Sequence, residues 1–193
     1  DKVLEGVVEK LSKLKMGNAL DEKSDIGAII SNEQLKRTLY YMDIAKKNSS
    51  TQILHGGNQA KGGEYKDGFY YQPTLLSGLP VSSPVCQEEV FGPVACAIPF
   101  KSFDEVMKSA NDTQFGLSAV LWTKDLSRAL QFVDEIEAGF VQVNQCAAPR
   151  ANVSYGGIKM SGLGKEYAFD SMMNHFTQSK TVLINRGKSN IDI

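Results

Sequence analysis

Apolar residues recur at helical spacing from the first positions of the chain. Val3, Leu4, Val7, Val8, Leu11 and Leu14 follow Asp1 at separations of three and four, and Gly17-Asn18 ends the run. This predicts an amphipathic helix. A second helix is predicted from Ser31 to about Lys47, where Ser31-Asn32-Glu33-Gln34 has the form of a capping box in which Gln34 returns a hydrogen bond to the Ser31 backbone. Strand patterns follow at Thr51–His55 and Tyr70–Leu76, and the stretch GGNQAKGGEYKDG between them reads as a surface loop. From Val94 onward strand and helix alternate. Val94–Phe100 reads as a buried strand, Ser102–Asn111 as a helix with a second capping box (Ser102, Glu105), and Leu117–Thr123 as a strand. Asp125–Glu137 then reads as a helix closed by Gly139, and Phe140–Asn144 as a strand. Such alternation predicts parallel βαβ units and a sheet covered by helices on both faces. A glycine-punctuated loop, a short helix near Glu166–Phe176 and a last strand, Gln178–Ile184, complete the pattern before the polar tail NRGKSNIDI. That last strand is either an edge of its own sheet or is paired with another chain; pattern alone favours the edge.

Composition narrows the functional classes. The 193 residues carry 21 Lys+Arg against 22 Asp+Glu, a net charge of -1, with no block of like charge. This near-neutrality argues against nucleic-acid and membrane-surface partners. The longest nearly unbroken apolar run, Val94–Phe100, is interrupted by Pro99 and far below the roughly 20 residues of a membrane-spanning helix. A chain of this length is expected to form one domain with an appendage. The opening DKVLEGVVEK lacks the order of a signal peptide, and three cysteines (Cys86, Cys96, Cys146) cannot all pair, so a reducing cytoplasm is the expected location.

Generic site templates mostly fail. Cys86 and Cys96 have no metal-ligand spacing and the only histidines are His55 and His175, so no protein-ligated metal is expected. In GGIKMSGLGKE, Gly157 and Gly162 are followed by Leu163 instead of Lys, which breaks the phosphate-cradling pattern. Tyr167 stands where the third glycine of a dinucleotide motif belongs. The concentrated signal is Gln87-Glu88-Glu89-Val90-Phe91-Gly92-Pro93-Val94 at the mouth of a strand. Two carboxylates and an aromatic ring there resemble a grip on a polar ligand, although spacing alone favours acids solvated at a loop with Phe91 in the core.

Eight motifs stand together in one order: DIGAIIS, GFYYQPTLL, EEVFGPV, ANDTQFGLSA, WTKDLSRAL, AGFVQVN, YGGIKMSGLGKE and FTQSKTV. In this the chain resembles the C-terminal part of an NAD(P)-dependent aldehyde dehydrogenase, and the match runs almost end to end. The resemblance implies an α/β fold with a Rossmann-like parallel sheet, residues 1–176 forming an incomplete catalytic domain and residues 177–193 an oligomerisation strand and tail. It thereby reverses the edge-strand reading of Gln178–Ile184 in favour of a strand crossing to a partner subunit, in a dimer or tetramer.

The resemblance also implies oxidation of an aldehyde to a carboxylate through a cysteine thiohemiacetal, with NAD or NADP as cofactor. The family's nucleophile motif would lie upstream of the first helix, so no catalytic residue is assigned and this chain alone is expected to be inactive. Each of its own cysteines is expected to be a buried structural thiol. Carried over by motif, Glu89 would accept hydrogen bonds from the nicotinamide-ribose hydroxyls and Phe91 would pack near the ring. Gln34 and Arg37 would reach ribose hydroxyls from the other side, with a capping partner and a solvated charge as their plain alternatives. Tyr155, in place of the family's phenylalanine, would line the aldehyde pocket, and Glu166, preceded by Lys165 where an arginine is usual, would lie on its water side or simply stabilise a helix N-terminus. The alternative function is a non-catalytic interaction module.

Overall fold

The computed structural model describes residues 2–184, and the chain divides into two compact units, residues 1–109 and 110–193. In the first, α1 (Lys2–Lys13) follows the predicted periodicity but buries none of its residues, while α2 (Asn32–Lys47) is central. Ser31 caps α2, its Oγ accepting from Gln34 N at 3.2 Å. Leu35, Thr38, Tyr41, Met42 and Ala45 form its buried face. They join Tyr71, Leu76, Leu79, Val85 and Val90 in one cluster, where Leu76 and Ala45 are fully shielded from water. A leucine so buried contributes about 1.5–3 kcal/mol of transfer free energy.

Three short strands build the sheet of this unit. β1 (Gln52–His55) runs antiparallel to β2 (Thr74–Ser77), and β2 runs parallel to β3 (Val94–Ala97), Thr74 facing Val94 and Leu76 facing Cys96. Gly78, at positive φ (77°), turns the chain out of β2 so close to the Ser50 carbonyl that any side chain would overlap it. A single-turn helix, α3 (Pro84–Gln87), which the pattern did not reveal, precedes the acidic loop. After β3, α4 (Phe103–Asn111) starts at Ser102, whose Oγ accepts from Glu105 N at 3.1 Å. The reciprocal bond of the expected capping box reaches one residue further back, from Lys101 N to Glu105 Oε2.

The second unit contains a true βαβ unit: β5 (Ser118–Leu121), α5 (Leu126–Glu135) and β6 (Phe140–Val143), the strands parallel from Ser118–Phe140 to Leu121–Val143. Asp125 caps α5, and Ala129 and Phe132 turn inward. A two-residue antiparallel pairing joins β4 (Phe115–Gly116) to β7 (Ile158–Lys159). Lys159 fastens it, donating to the carbonyls of Asn111 (2.9 Å) and Thr113 (3.1 Å) and pairing with Glu137. The short α6 (Phe169–Phe176) follows.

Three expectations need correction. The parallel ladders exist, but in three small sheets among the described residues instead of one sheet covered on both faces, because each strand is only two to four residues long. β3 is an outer strand, so Val94–Phe100 is half-buried and ends in exposed Ile98 and Phe100. Gln178–Ile184 forms no strand, joins no ladder among the described residues and is exposed throughout, which removes the edge-strand reading. The tail NRGKSNIDI lies outside the described residues. No helix among those residues is long and apolar enough to cross a membrane.

Tyr71 is the outlier of the core. It is 2% exposed, and its hydroxyl has no hydrogen-bond partner among the described residues. Burial, assisted by the Asp43 carboxylate, pushes its ionisation up to about 12. Because the folded state resists losing this proton, the associated stability is complete below the unfolded value of about 10 and is lost as pH rises through about 12. Tyr71→Phe should therefore raise stability near neutral pH, by about 1 kcal/mol, since it deletes an unsatisfied buried hydroxyl. It should also flatten the alkaline loss of stability. Urea unfolding at pH 7 and across the alkaline range checks both signs.

Candidate functional site

The acidic loop, residues 88–93, links α3 to β3 and is fixed from three directions. Val90 plugs into the core cluster at 8% exposure. The Pro93 carbonyl accepts from Thr74 N at 2.8 Å, so the loop enters the sheet where β2 begins. Gly92 presses on α2: a Cβ there would lie 2.6 Å from Thr38 Oγ1, and Thr38 is fully buried. On that same side, polar side chains of α2 hold the loop as well. Gln34 Nε2 donates to the carbonyls of Val90 (2.9 Å) and Phe91 (2.8 Å). Arg37 donates to the Glu89 carbonyl through Nε (3.1 Å) and Nη2 (2.6 Å). Two side chains one helical turn apart thus hold three successive carbonyls.

This grip answers the choice left open for both residues. Gln34 does not return a bond to Ser31, and Arg37 is not a merely solvated charge. The half-buried Val90 carbonyl needs a donor, and the side-chain amide of Gln34 supplies it while also reaching the exposed Phe91 carbonyl, as Arg37 reaches the exposed carbonyl of Glu89. The grip also sustains strain. Phe91 sits at φ 52°, a left-handed conformation costing a bulky residue about 1–3 kcal/mol, and its ring is 69% exposed, not in the core.

The two carboxylates diverge. Glu88 Oε2 accepts from Tyr41 OH at 2.6 Å, and this bond, reinforced by burial, holds the Tyr41 hydroxyl above its ordinary ionisation range. The Arg37 guanidinium, 5.5 Å from the Tyr41 ring centroid, opposes that rise. Glu89 is exposed, and its carboxylate has no hydrogen-bond partner among the described residues. Tyr41 is the member of this group that the sequence reading missed. Its position four residues beyond Arg37 and seven beyond Gln34, on one helical face, was the available signal.

In the second unit Tyr155 and Glu166 are brought together by reciprocal backbone bonds, Tyr155 N to Glu166 O at 3.0 Å and Glu166 N to Tyr155 O at 2.7 Å. The Tyr155 ring meets Phe140 and Tyr167 edge to face, at 5.2 and 6.1 Å. Lys165, between them in sequence, donates from Nζ to the carbonyls of Gly156 (2.7 Å), Gly157 (3.3 Å) and Gly139 (3.5 Å). Glu166, Tyr167, Met172, His175 and Phe176 line a cavity of about 280 Å³. A larger cavity, about 780 Å³ between residues 14–24 and 64–70, shares no residue with either cluster. Among the described residues no group of three His, Cys, Asp or Glu could hold a metal ion. Cys86 and Cys96 are half-buried, whereas Cys146 is exposed and so is not the buried thiol expected.

These features define a mixed α/β segment that presents an acceptor carboxylate and an aromatic ring on a braced loop. Residues 1–182 match the aldehyde dehydrogenase family, and the chain belongs to that family. It is 38% identical over 184 residues to an aldehyde dehydrogenase of Rhodospirillum rubrum and 36% identical to aldehyde dehydrogenase B of Escherichia coli, in each case over 95% of this chain and 36% of the relative. Betaine aldehyde dehydrogenase of Staphylococcus aureus, crystallised with NAD+, superposes with a TM-score of 0.87 at 30% identity, over 100% of this chain and 38% of that one. The chain thus spans little more than a third of these relatives.

If α2 holds the loop as described, replacing Gln34 with Leu and Arg37 with Met together should raise amide exchange at Phe91, Gly92 and Val94 by on the order of tenfold or more, at about 1 kcal/mol per lost bond. Hydrogen-exchange mass spectrometry checks this. Unchanged protection would mean that the burial of Val90, the Gly92 contact with α2 and the Pro93–Thr74 bond hold the loop without these side chains.

Proposed function

We propose that this chain is part of an NAD(P)-dependent aldehyde dehydrogenase whose complete form oxidises an aldehyde to a carboxylate. Residues 1–176 would contribute to a Rossmann-like catalytic domain and residues 177–193 to assembly. The observation that carries the proposal is the exposed Glu89 carboxylate on a loop immobilised from behind by Gln34 and Arg37. An ionised carboxylate offers acceptor sites for two neighbouring hydroxyls, which suits a ribose diol, and an exposed ring beside it suits a flat heterocycle. The residues present therefore fit a nicotinamide nucleoside.

When bound, the dinucleotide supplies the hydride acceptor. The chain's own residues supply position: Glu89 holds the sugar hydroxyls and Phe91 covers the ring region. Gln34 and Arg37, expected at the ribose, act in this reading on the loop that carries Glu89. Tyr155 lines the aldehyde side and presents a hydroxyl to it, while Glu166 lies beside it on the water side. The exposed thiol of Cys146 is consistent with work in a reducing cytoplasm.

In the complete enzyme Glu89→Gln should slow aldehyde oxidation by about 1–3 kcal/mol, roughly 5- to 150-fold, while weakening nucleotide affinity less. Single-turnover absorbance at 340 nm beside a nucleotide titration makes the comparison. An unchanged rate removes Glu89 from the site.

Assembly rests on residues 178–184, where Val182, Leu183 and Ile184 are exposed and the backbone joins no ladder among the described residues. We infer that this segment adds as a strand to a neighbouring copy, where its backbone groups find partners. Deleting the complete enzyme from Thr177 onward should yield smaller, less stable species by sedimentation and thermal melting. The same mass distribution and melting temperature in the truncated protein would place the contact elsewhere.

A further inference from the structure

Nothing in their own chemistry distinguishes the two adjacent carboxylates of the acidic loop; their surroundings do. The backbone of Glu88 is extended, at φ -110° and ψ 156°, and extended backbone sends successive side chains to opposite sides. Glu88 turns to α2, where its Oε2 accepts from Tyr41 OH at 2.6 Å, and Tyr41 is only 3% exposed. Val90, two residues on, enters the core cluster, and Glu89 between them is exposed. The Tyr41 hydroxyl also accepts from Arg37 Nη2 at 3.4 Å, and the same nitrogen donates to the Glu89 carbonyl at 2.6 Å. The contacts thus close on themselves: Glu88 carboxylate, Tyr41 hydroxyl, Arg37 guanidinium, Glu89 carbonyl, and the peptide bond joining the two glutamates. Tyr41 and Glu88 have no part in the reading above.

We propose that Tyr41 and Glu88 are positioning residues for Glu89: the Tyr41 hydroxyl fixes which of the two carboxylates turns to α2, and thereby aims the other at the nucleotide sugar. This rests on the reading of Glu89 above. The hydroxyl uses both of its capacities, donating to Glu88 and accepting from Arg37, so a phenylalanine of the same shape removes both contacts without opening a cavity. Without them Val90 still fills its place in the core and Gln34 still holds the Val90 and Phe91 carbonyls. What is lost is the distinction between the glutamates. Glu88 is released into solvent beside Glu89, like charge beside like charge, and the direction of the Glu89 carboxylate broadens. A reacting geometry tolerates little displacement, whereas affinity for a ligand with many other contacts tolerates more. The effect therefore falls on the rate of hydride transfer.

The test uses the complete enzyme, with single-turnover hydride transfer at saturating nucleotide read at 340 nm beside a nucleotide titration. Tyr41→Phe and Glu88→Leu should each slow transfer about five- to tenfold while changing nucleotide affinity less. Glu88→Gln, whose amide oxygen still accepts from Tyr41, should keep most of the rate. Combined with Glu89→Gln, either Tyr41→Phe or Glu88→Leu should cost nothing further, because both act through Glu89. A merely structural role would instead multiply the two losses, and Glu88→Leu carries the comparison alone where Tyr41→Phe does not fold. The proposal is overturned if Glu89→Gln is slow but Tyr41→Phe and Glu88→Leu keep the parent rate. It is also overturned if the losses multiply in the double variants, or if Glu88→Gln is as slow as Glu88→Leu. An unchanged rate in Glu89→Gln by itself is the failure of the underlying reading, and the positioning role falls with it.

Discussion

The first unit depends on α2 satisfying the carbonyls of a loop that cannot satisfy itself. Residues 89–91 run without a ladder, one of them in a left-handed conformation, so their carbonyls have no strand partner. Gln34 and Arg37 supply the donors from a helix whose opposite face is already committed to that core through Leu35, Thr38, Tyr41, Met42 and Ala45. Any displacement of α2 would therefore disturb apolar packing and loop geometry together. Placement of Glu89 follows from this coupling: Arg37 holds its backbone carbonyl while its carboxylate stays exposed.

Much of the local structure was legible, for identifiable reasons. Ser31 and Asp125 announce their helices because an N-cap is a contact over three residues, whereas α5 also exposes Leu126, Leu130 and Val133, so its period alone does not single out the buried Ala129 and Phe132. The βαβ unit around α5 was legible by the same kind of evidence in the residues. Strand partners outside that unit were not. Alternation says that β3, β5 and β6 are strands, yet nothing in period two states which strand lies beside which, and strands this short distribute among small sheets.

The candidate site divides the same way. Glu89 and Phe91 stand out because acids and an aromatic ring beside Gly92-Pro93 are unusual at a strand mouth. That Gln34 would prefer carbonyls more than fifty residues away to its own cap, or that Tyr41 would engage Glu88, depends on tertiary placement that no local pattern encodes. The left-handed Phe91 is equally invisible in the residues, since a bulky aromatic is a poor choice for that conformation and is held there only by the bonds that follow from folding.

Lys165 illustrates a different economy. Its ammonium, half-buried, is held by three carbonyl dipoles, those of Gly139, Gly156 and Gly157, and Gly139 is so close to Gly156 that a methyl group would overlap the latter's oxygen. An ammonium is compact enough to enter such a space where a planar guanidinium is broad. The tie is between an ion and dipoles, not between two exposed ions of opposite sign, so dissolved salt has little with which to compete. At ionic strengths that erase a surface pair such as Glu9–Lys13, where screening acts over about 10 Å and less, the turn beside Tyr155 should keep its shape. Brine would thus loosen the periphery of the molecule well before it reached the loop on which the Tyr155–Glu166 pair is built.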